Sequence, residues 1–312
     1  MKKIVWMICL FLLVSAGRAY SQSGKAAPCD RACLQSFVDQ YLAALLAHNS
    51  SALPLAKNAL YTENGQALKT NDGMWRVATA IGDKKIYFAD PQSGQVGFRG
   101  IVEENGHKQI LALRLRIDDR KITEIEAIVC RSGAALHNPA GLIDHPIFKE
   151  ALPPGDRLPR SELISITNSY FEGLEKVTGK ITPFAPDCTR MENGTVTANN
   201  PAATNFNKMT CGDQFNIPGF SAVITKVRER RFPVVDEERG LVYAIIFFDH
   251  AGLHEIQLPD GSVRKVTGPP FDQPFTFMIG ELFKIRNKRI ARVEAVLLAV
   301  PYGMPSGWGA VK

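Results

Sequence analysis

Two stretches carry apolar residues at helical spacing, FVDQYLAALLAHN (37–49) and ITNSYFEGLEKVT (166–178), and each is followed by strand-like segments. In ILALRLRID (110–118), Leu111, Leu113, Leu115 and Ile117 fall on one face of a strand, with Arg114 and Arg116 on the other. LVYAIIFFD (241–249) is apolar almost throughout. Helix first and strands after, written twice, predicts an α+β plan in which a helical hairpin covers a curved, mostly antiparallel sheet.

The two halves align on each other. Tyr41 and Tyr170 are 129 positions apart, as are YTENG (61–65) and RMENG (190–194). FADPQSGQV (88–96) answers VVDEERGLV (234–242) at an interval of 146, which places Asp90 opposite Asp236. LRLRIDDRKITEIEAIV (113–129) answers ELFKIRNKRIARVEAVL (281–297) at 168. The widening interval locates two insertions in the second half, one the segment bracketed by Cys188 and Cys211 and one at LPDGSVRKVTGPPFDQPF (258–275), whose Pro and Gly mark a hairpin extension or loop. NPAGLIDHPIFKEALPPGDRLPR (138–160) reads as a linker. The expected organisation is a leader over 1–21, a first domain over 22–137, the linker, and a second domain with its C-terminal tail over 161–312.

Composition alters the picture at the N-terminus. Lys2 and Lys3 precede the apolar run IVWMICLFLLV (4–14), and Ala19 and Ser21 follow, as in a secretory signal peptide. The run is too short to span a bilayer. Export, to the periplasm or beyond, is therefore expected, with no membrane attachment after cleavage. The formal charge falls from +6 to +3 when Lys2, Lys3 and Arg18 leave, and KVRERR (226–231) reads as a solvated strand edge, so no nucleic-acid partner is expected.

Five cysteines remain after the leader, and an oxidising compartment permits disulfides. Cys188 and Cys211 bracket a polar, Asn-rich segment and are the expected bridge, worth on the order of 3 kcal/mol in the chain-entropy model. Cys29, Cys33 and Cys130 are left with their pairing open. No CxxC or ligand-spaced His suggests a metal site, and no GxSxG, GxGxxG, P-loop or HExxH suggests nucleophilic or cofactor chemistry.

With its amphipathic helix, ENG turn, strands and closing hairpin, each half resembles the nuclear-transport-factor-2-like cone shared by ketosteroid isomerases and SnoaL-type cyclases. The whole chain is similar to a tandem pair of such cones. The resemblance implies a helix-lidded pocket in each half, an intrachain pseudo-dimer, self-association through sheet faces, and a small apolar organic ligand handled without a cofactor. The implied chemistry is isomerisation, dehydration or hydrolysis of a carbonyl or hydroxy compound, with a non-catalytic binding module of the cell envelope as the alternative. By the ketosteroid isomerase pattern, the helix tyrosine falls on Tyr41 and Tyr170, and the proton-shuttle position on Asn64 and Asn193. The late-strand acid falls on Leu113 in the first half and Glu281 in the second.

Asn does not take a proton at neutral pH, so neither half keeps the shuttle base. Tyr170, Asn193 and Glu281 are the expected catalytic constellation, with Tyr41, Asn64, Phe283 and Trp308 as substrate-binding candidates. In FMIGELFKI (277–285), alternation puts Glu281 on one face with Phe283 and Ile285, where a lone carboxylate is costly and its pKa rises. The structural alternatives are a Glu281 at the sheet rim or paired with Arg228, turn-forming asparagines, core tyrosines, and a solvated turn at His250 and His254. VVDEERG (234–240) reads as an exposed hairpin tip. VPYGMPSGW (300–308), with Trp308, reads equally as a lid or as a tail across the sheet.

Overall fold

The computed structural model of the chain describes residues 29–257, 261–268 and 270–308. The leader expected over 1–21 lies outside the described residues. Among the described residues, no helix is long and apolar enough to cross a membrane.

The first half runs α1 (Arg31–Leu46), β1 (Leu55–Glu63), β2 (Gln66–Leu68), β3 (Ala78–Asp90), β4 (Gln95–Glu104), β5 (His107–Asp118) and β6 (Lys121–Cys130). The second runs α2 (Arg160–Glu175), β7 (Phe184–Glu192), β8 (Thr195–Ala198), α3 (Cys211–Phe215), α4 (Pro218–Ser221), β9 (Lys226–Asp236), β10 (Leu241–Ala251), β11 (Glu255–Gln257), β12 (Val263–Lys265), β13 (Pro274–Arg286) and β14 (Arg289–Val300). Sheet order is β2-β1-β6-β5-β4-β3 in one half and β8-β7-β14-β13-β10-β9 in the other. The β1–β6 and β7–β14 pairs are parallel and the remaining neighbours antiparallel. Two tandem α+β units of the same strand order are therefore present, with the insertion strands β11 and β12 forming a separate hairpin.

The covering layer differs from expectation. A single helix, capped by the Asp30 side chain on the Cys33 amide, replaces the helical hairpin in the first half. His48 takes a positive φ of 52°, Asn49 caps a short 3-10 turn over Ser50–Ala52, and Pro54 then commits the chain to β1.

Each sheet is apolar on both faces, for different reasons. Leu111, Leu113, Leu115 and Ile117 face α1, while Ile110 and Ala112 face the other half. In β10, Val242, Ala244, Ile246 and Phe248 point to the α2 side, and Leu241, Tyr243, Ile245 and Phe247 join Phe88 and Ile128 in a core shared between the halves. A strand covered on both sides needs an unbroken apolar run. These faces are covered within the chain, as the expected intrachain pseudo-dimer requires.

Polar groups cross this interface in pseudo-twofold pairs. Glu126 accepts from Arg114 of its own half (2.9 Å) and Arg231 of the other (2.6 Å), and Glu294 from Arg292 of its own half (2.7 Å) and Arg99 of the other. Arg31 at the start of α1 pairs with Asp236, and Arg160 at the start of α2 pairs with Asp90. Asp236 is therefore buried in an interface, not exposed at a hairpin tip. The KVRERR run lies on the edge strand β9, and Arg228, Arg230 and Arg231 are spent on Asp249, Glu175 and Glu126 rather than on solvent.

The trailing segment of each half rests on the Asn-Gly turn of the other. The Asn138 amide donates to the Asn193 carbonyl (2.8 Å), and a Cβ on Gly194, whose φ is +84°, would fall 1.9 Å from the Asn138 carbonyl oxygen. Beyond β14, Met304 packs on Gly65, and Trp308 donates to Thr62 (3.1 Å) while stacking on Arg114.

The bonded pair is Cys29–Cys33, four residues apart at the start of α1. Cys188 and Cys211, the expected bridge, stand side by side in the core with their sulfurs 2.7 Å apart. Cys130 is free, its thiol pushed up to about 12 by burial.

Candidate functional site

Glu281 sits in the middle of β13 with Ala295 of β14 on one side and Ala244 of β10 on the other. Ala295 is in turn registered with Glu192 on β7. One row of the second sheet thus reads Glu192, Ala295, Glu281, Ala244. The matching row of the first reads Glu63, Ala127, Leu113, Phe98. Leucine and phenylalanine in one copy are replaced by a carboxylic acid and a methyl group in the other, which removes volume and adds chemistry at the same place.

The first interior is filled. A 3-10 turn at Gly73–Arg76 delivers Met74 and Trp75, and Tyr41 packs edge-on against Trp75 with ring centroids 5.1 Å apart. Glu63 accepts from the Tyr61 hydroxyl (2.7 Å), the Met74 amide (2.7 Å) and Arg131 (2.6 Å). In the second half the insertions take the other course and wall a cavity of about 360 Å³. Tyr170 and Leu174 of α2 line one side, Phe248, Phe277, Ile279 and Glu281 the sheet side, and Phe220 and Phe271 come from the two insertions.

Glu281 is 2% exposed, and its Oε2 has no hydrogen-bond partner among the described residues. Burial, and then the charge of Glu192, push its pKa up to about 8; Arg190 and the neighbouring Tyr170 hydroxyl offset part of that rise. The acid is thus largely protonated at neutral pH and carries an O–H into an apolar cavity. It lies neither at the rim nor against Arg228, which Asp249 holds at 2.6 and 2.9 Å. Tyr170 is caged by Phe215 (4.9 Å), Phe283 (5.1 Å), Phe171 (5.5 Å) and Phe184 (5.9 Å), which fixes its hydroxyl beside the acid; burial raises the phenol well above its usual value.

The remaining sequence candidates lie elsewhere or do other work. Asn193 spends both amide hydrogens on the carbonyls of Ala135 (2.7 Å) and Leu297 (2.9 Å), and its Oδ1 accepts from the Leu297 amide (2.9 Å). It is a backbone clamp at positive φ, not a substrate-orienting group. Asn64 bridges the amide and carbonyl of Val129 in the same way. Tyr41 belongs to the filled first core, and Phe283 supports Tyr170 from the core without lining the cavity. Trp308 lies on the first half, against Arg114 and Thr62, and so covers no pocket of the second.

Glu192 is not among the sequence candidates, and His250, which the sequence offers as a base near a pocket mouth or as a solvated turn, lines the cavity. Glu192 lines the cavity next to Arg190, 3.6 Å from its Nε, and the repeated Glu-Asn-Gly pointed at it, although the asparagine drew the attention. His250 is buried and stacked on Phe275 with centroids 4.3 Å apart. Its Nδ1 donates to the Phe248 carbonyl (3.1 Å), and burial lowers its pKa to about 4, leaving a neutral ring with Nε2 as an acceptor. Among the described residues, no group of three or more His, Cys, Asp or Glu could hold a metal ion.

The profile of a family described as "Domain of unknown function (DUF8021)" matches residues 28–129 and again 156–297. No curated protein matches the chain. Solved structures similar to it include an NTF2-like protein of unknown function from Cytophaga hutchinsonii, 13% identical over 31% of this chain and 88% of that one, with a TM-score of 0.26. A steroid delta-isomerase from Pseudomonas aeruginosa is 14% identical over 32% of this chain and 80% of its own, with a TM-score of 0.24. PrhC from Penicillium brasilianum is 11% identical over 31% and 79%, with a TM-score of 0.25.

Proposed function

Since the chain belongs to the DUF8021 family and pairs a filled cone with a hollow one, we propose that its second cone binds a small, largely apolar organic molecule. The ligand places one carbonyl or hydroxyl oxygen at the Glu281 Oε2–H and the Tyr170 hydroxyl. The observation that carries this reading is the buried, unpartnered Oε2 of Glu281 inside an aromatic-walled cavity of about 360 Å³. Donation from a neutral carboxyl polarises a carbonyl toward its enol or helps a hydroxyl depart as water, the proton lost from carbon passing to a cavity-lining acceptor, Glu192 or the neutral His250 ring, so the reaction classes supported are cofactor-free isomerisation, dehydration or hydrolysis. The place of action on this reading is outside the cytoplasm, which N-terminal sequencing of the mature chain tests.

The decisive experiment screens carbonyl, epoxide and hydroxy compounds by thermal shift at pH 6.5 and follows hits for conversion. Wild-type protein is expected to bind and convert a hit, Glu281→Gln to lose turnover, and Tyr170→Phe to weaken both. Binding should fade as pH rises through about 8, where Glu281 ionises. Hits that bind without conversion leave the binding-module reading. Glu281→Gln with unchanged binding and turnover rejects the site.

A further inference from the structure

We infer that Leu136, supplied by the segment that follows β6 of the first half, is the specificity-determining residue at the entrance to the second cone's cavity, with Pro270 as the opposing jaw. The inference rests on that cavity being the ligand site and adds to it which molecules enter. Of the cavity's lining, Ala135, Leu136 and Pro270 are exposed, whereas Glu281, Ile279 and Ala295 at its inner end are buried. The opening therefore lies between the first half and the second insertion. Ala135, Pro270 and Phe277 also border a second depression of about 560 Å³, so the cavity continues outward across this sill.

Leu136 is a large apolar side chain left 43% exposed, and its φ is +60°, a conformation that branched, bulky residues seldom take. The surroundings hold it there: the Asn193 amide donates to the Ala135 carbonyl (2.7 Å), and the Thr195 hydroxyl donates to the Leu136 carbonyl (3.1 Å). Strain retained at a pocket mouth by such bonds is a signature of a functional position. A leucine at this point narrows the mouth to molecules thin in cross-section, such as flat one- or two-ring compounds.

The test reads access without needing the ligand. A thiol placed two residues from Glu281 on the same strand face, Ile279→Cys, is labelled with N-ethylmaleimide or the larger N-(1-pyrenyl)maleimide, with the parent protein's buried thiols as the blank. Val223→Cys serves as a second reporter if the first variant folds poorly. Leu136→Trp is expected to slow labelling by the small reagent at least tenfold. Leu136→Gly is expected to speed the large reagent at least tenfold while leaving the melting temperature unchanged or raised, since glycine relieves the positive φ. Equal rates in all three backgrounds overturn the inference. That failure is distinct from failure of the ligand screen, which concerns the wild-type protein alone.

Discussion

Glu192 and Glu281 face each other across the single methyl group of Ala295, on strands that flank β14. Glu192 lies beside Arg190, and the Oε2 of Glu281 has no hydrogen-bond partner among the described residues. Burial, and then the neighbouring charge of Glu192, raise the Glu281 pKa, so this acid keeps its proton although Arg190 offsets part of the rise.

Stability should record this proton. The pKa of Glu281 is raised from 4.5 to about 8 in the folded chain, so between those values the folded state holds a proton that the unfolded state has lost. Stability on this account is greatest below about 4.5, falls as pH rises to about 8, and is level above. Glu281→Gln removes the slope. Urea denaturation at pH 9 should find the variant more stable than wild type, on the order of 5 kcal/mol for the rise from 4.5 to about 8 at about 1.4 kcal/mol per unit.

Removing the facing charge should move the same proton. Glu192→Gln deletes a like charge, and the Glu281 titration then shifts downward from about 8. Carboxyl-selective ¹³C NMR reads the midpoint directly. An unmoved midpoint would mean that the two acids do not sense each other.

His250 gives the opposite dependence. Its pKa is lowered from 6.5 to about 4, so the unfolded chain binds a proton that the folded chain refuses between those values. Stability is lost as pH falls from 6.5 toward 4. His250→Phe, which keeps a ring among Phe271, Phe275 and Phe277, should flatten this acid limb in thermal melts at pH 4.5 and 7.

The crossed pairs Arg31–Asp236 and Arg160–Asp90 should cost similar amounts when cut. Both aspartates are buried and both arginines are partly exposed, so Asp90→Asn and Asp236→Asn should each destabilise by about 1–3 kcal/mol. The two sites adjoin, since Asp90 also accepts from the amide of Val235 beside Asp236 (3.1 Å), so the double variant should depart from the sum of the single costs in guanidinium unfolding. A large cost at one and none at the other would break the pseudo-symmetry.

Filling the cavity should separate binding from folding. Ala295→Leu adds volume between the two acids, where space already exists, so stability should change by less than about 1.5 kcal/mol while ligand shifts vanish. Retained thermal shifts with the screen's hits would place the ligand elsewhere.

Much of the architecture was legible in the sequence because duplicated folds repeat their intervals: Tyr41 with Tyr170 and Asp90 with Asp236 align without any coordinates. Glu281 was legible as well, since strand alternation alone sends it inward beside Phe283. Groups whose partner lies in the other half were not. Asp236 looks like a hairpin tip because nothing nearby in sequence announces Arg31, and the apolar run 241–248 of β10 does not say that a second sheet covers it. Asn193 misled for a local reason: an asparagine at positive φ can bond backbone as readily as ligand, and geometry alone distinguishes the two.

The exchange of trailing segments has a consequence for the polypeptide's continuity. Asn138 holds the second half's turn while Met304 and Trp308 hold the first half's, so the two cones grip each other at both ends as well as through the sheets between them. Proteolytic nicking of the Pro-rich connector would therefore leave two fragments that travel together as one particle on a sizing column and separate only in denaturant.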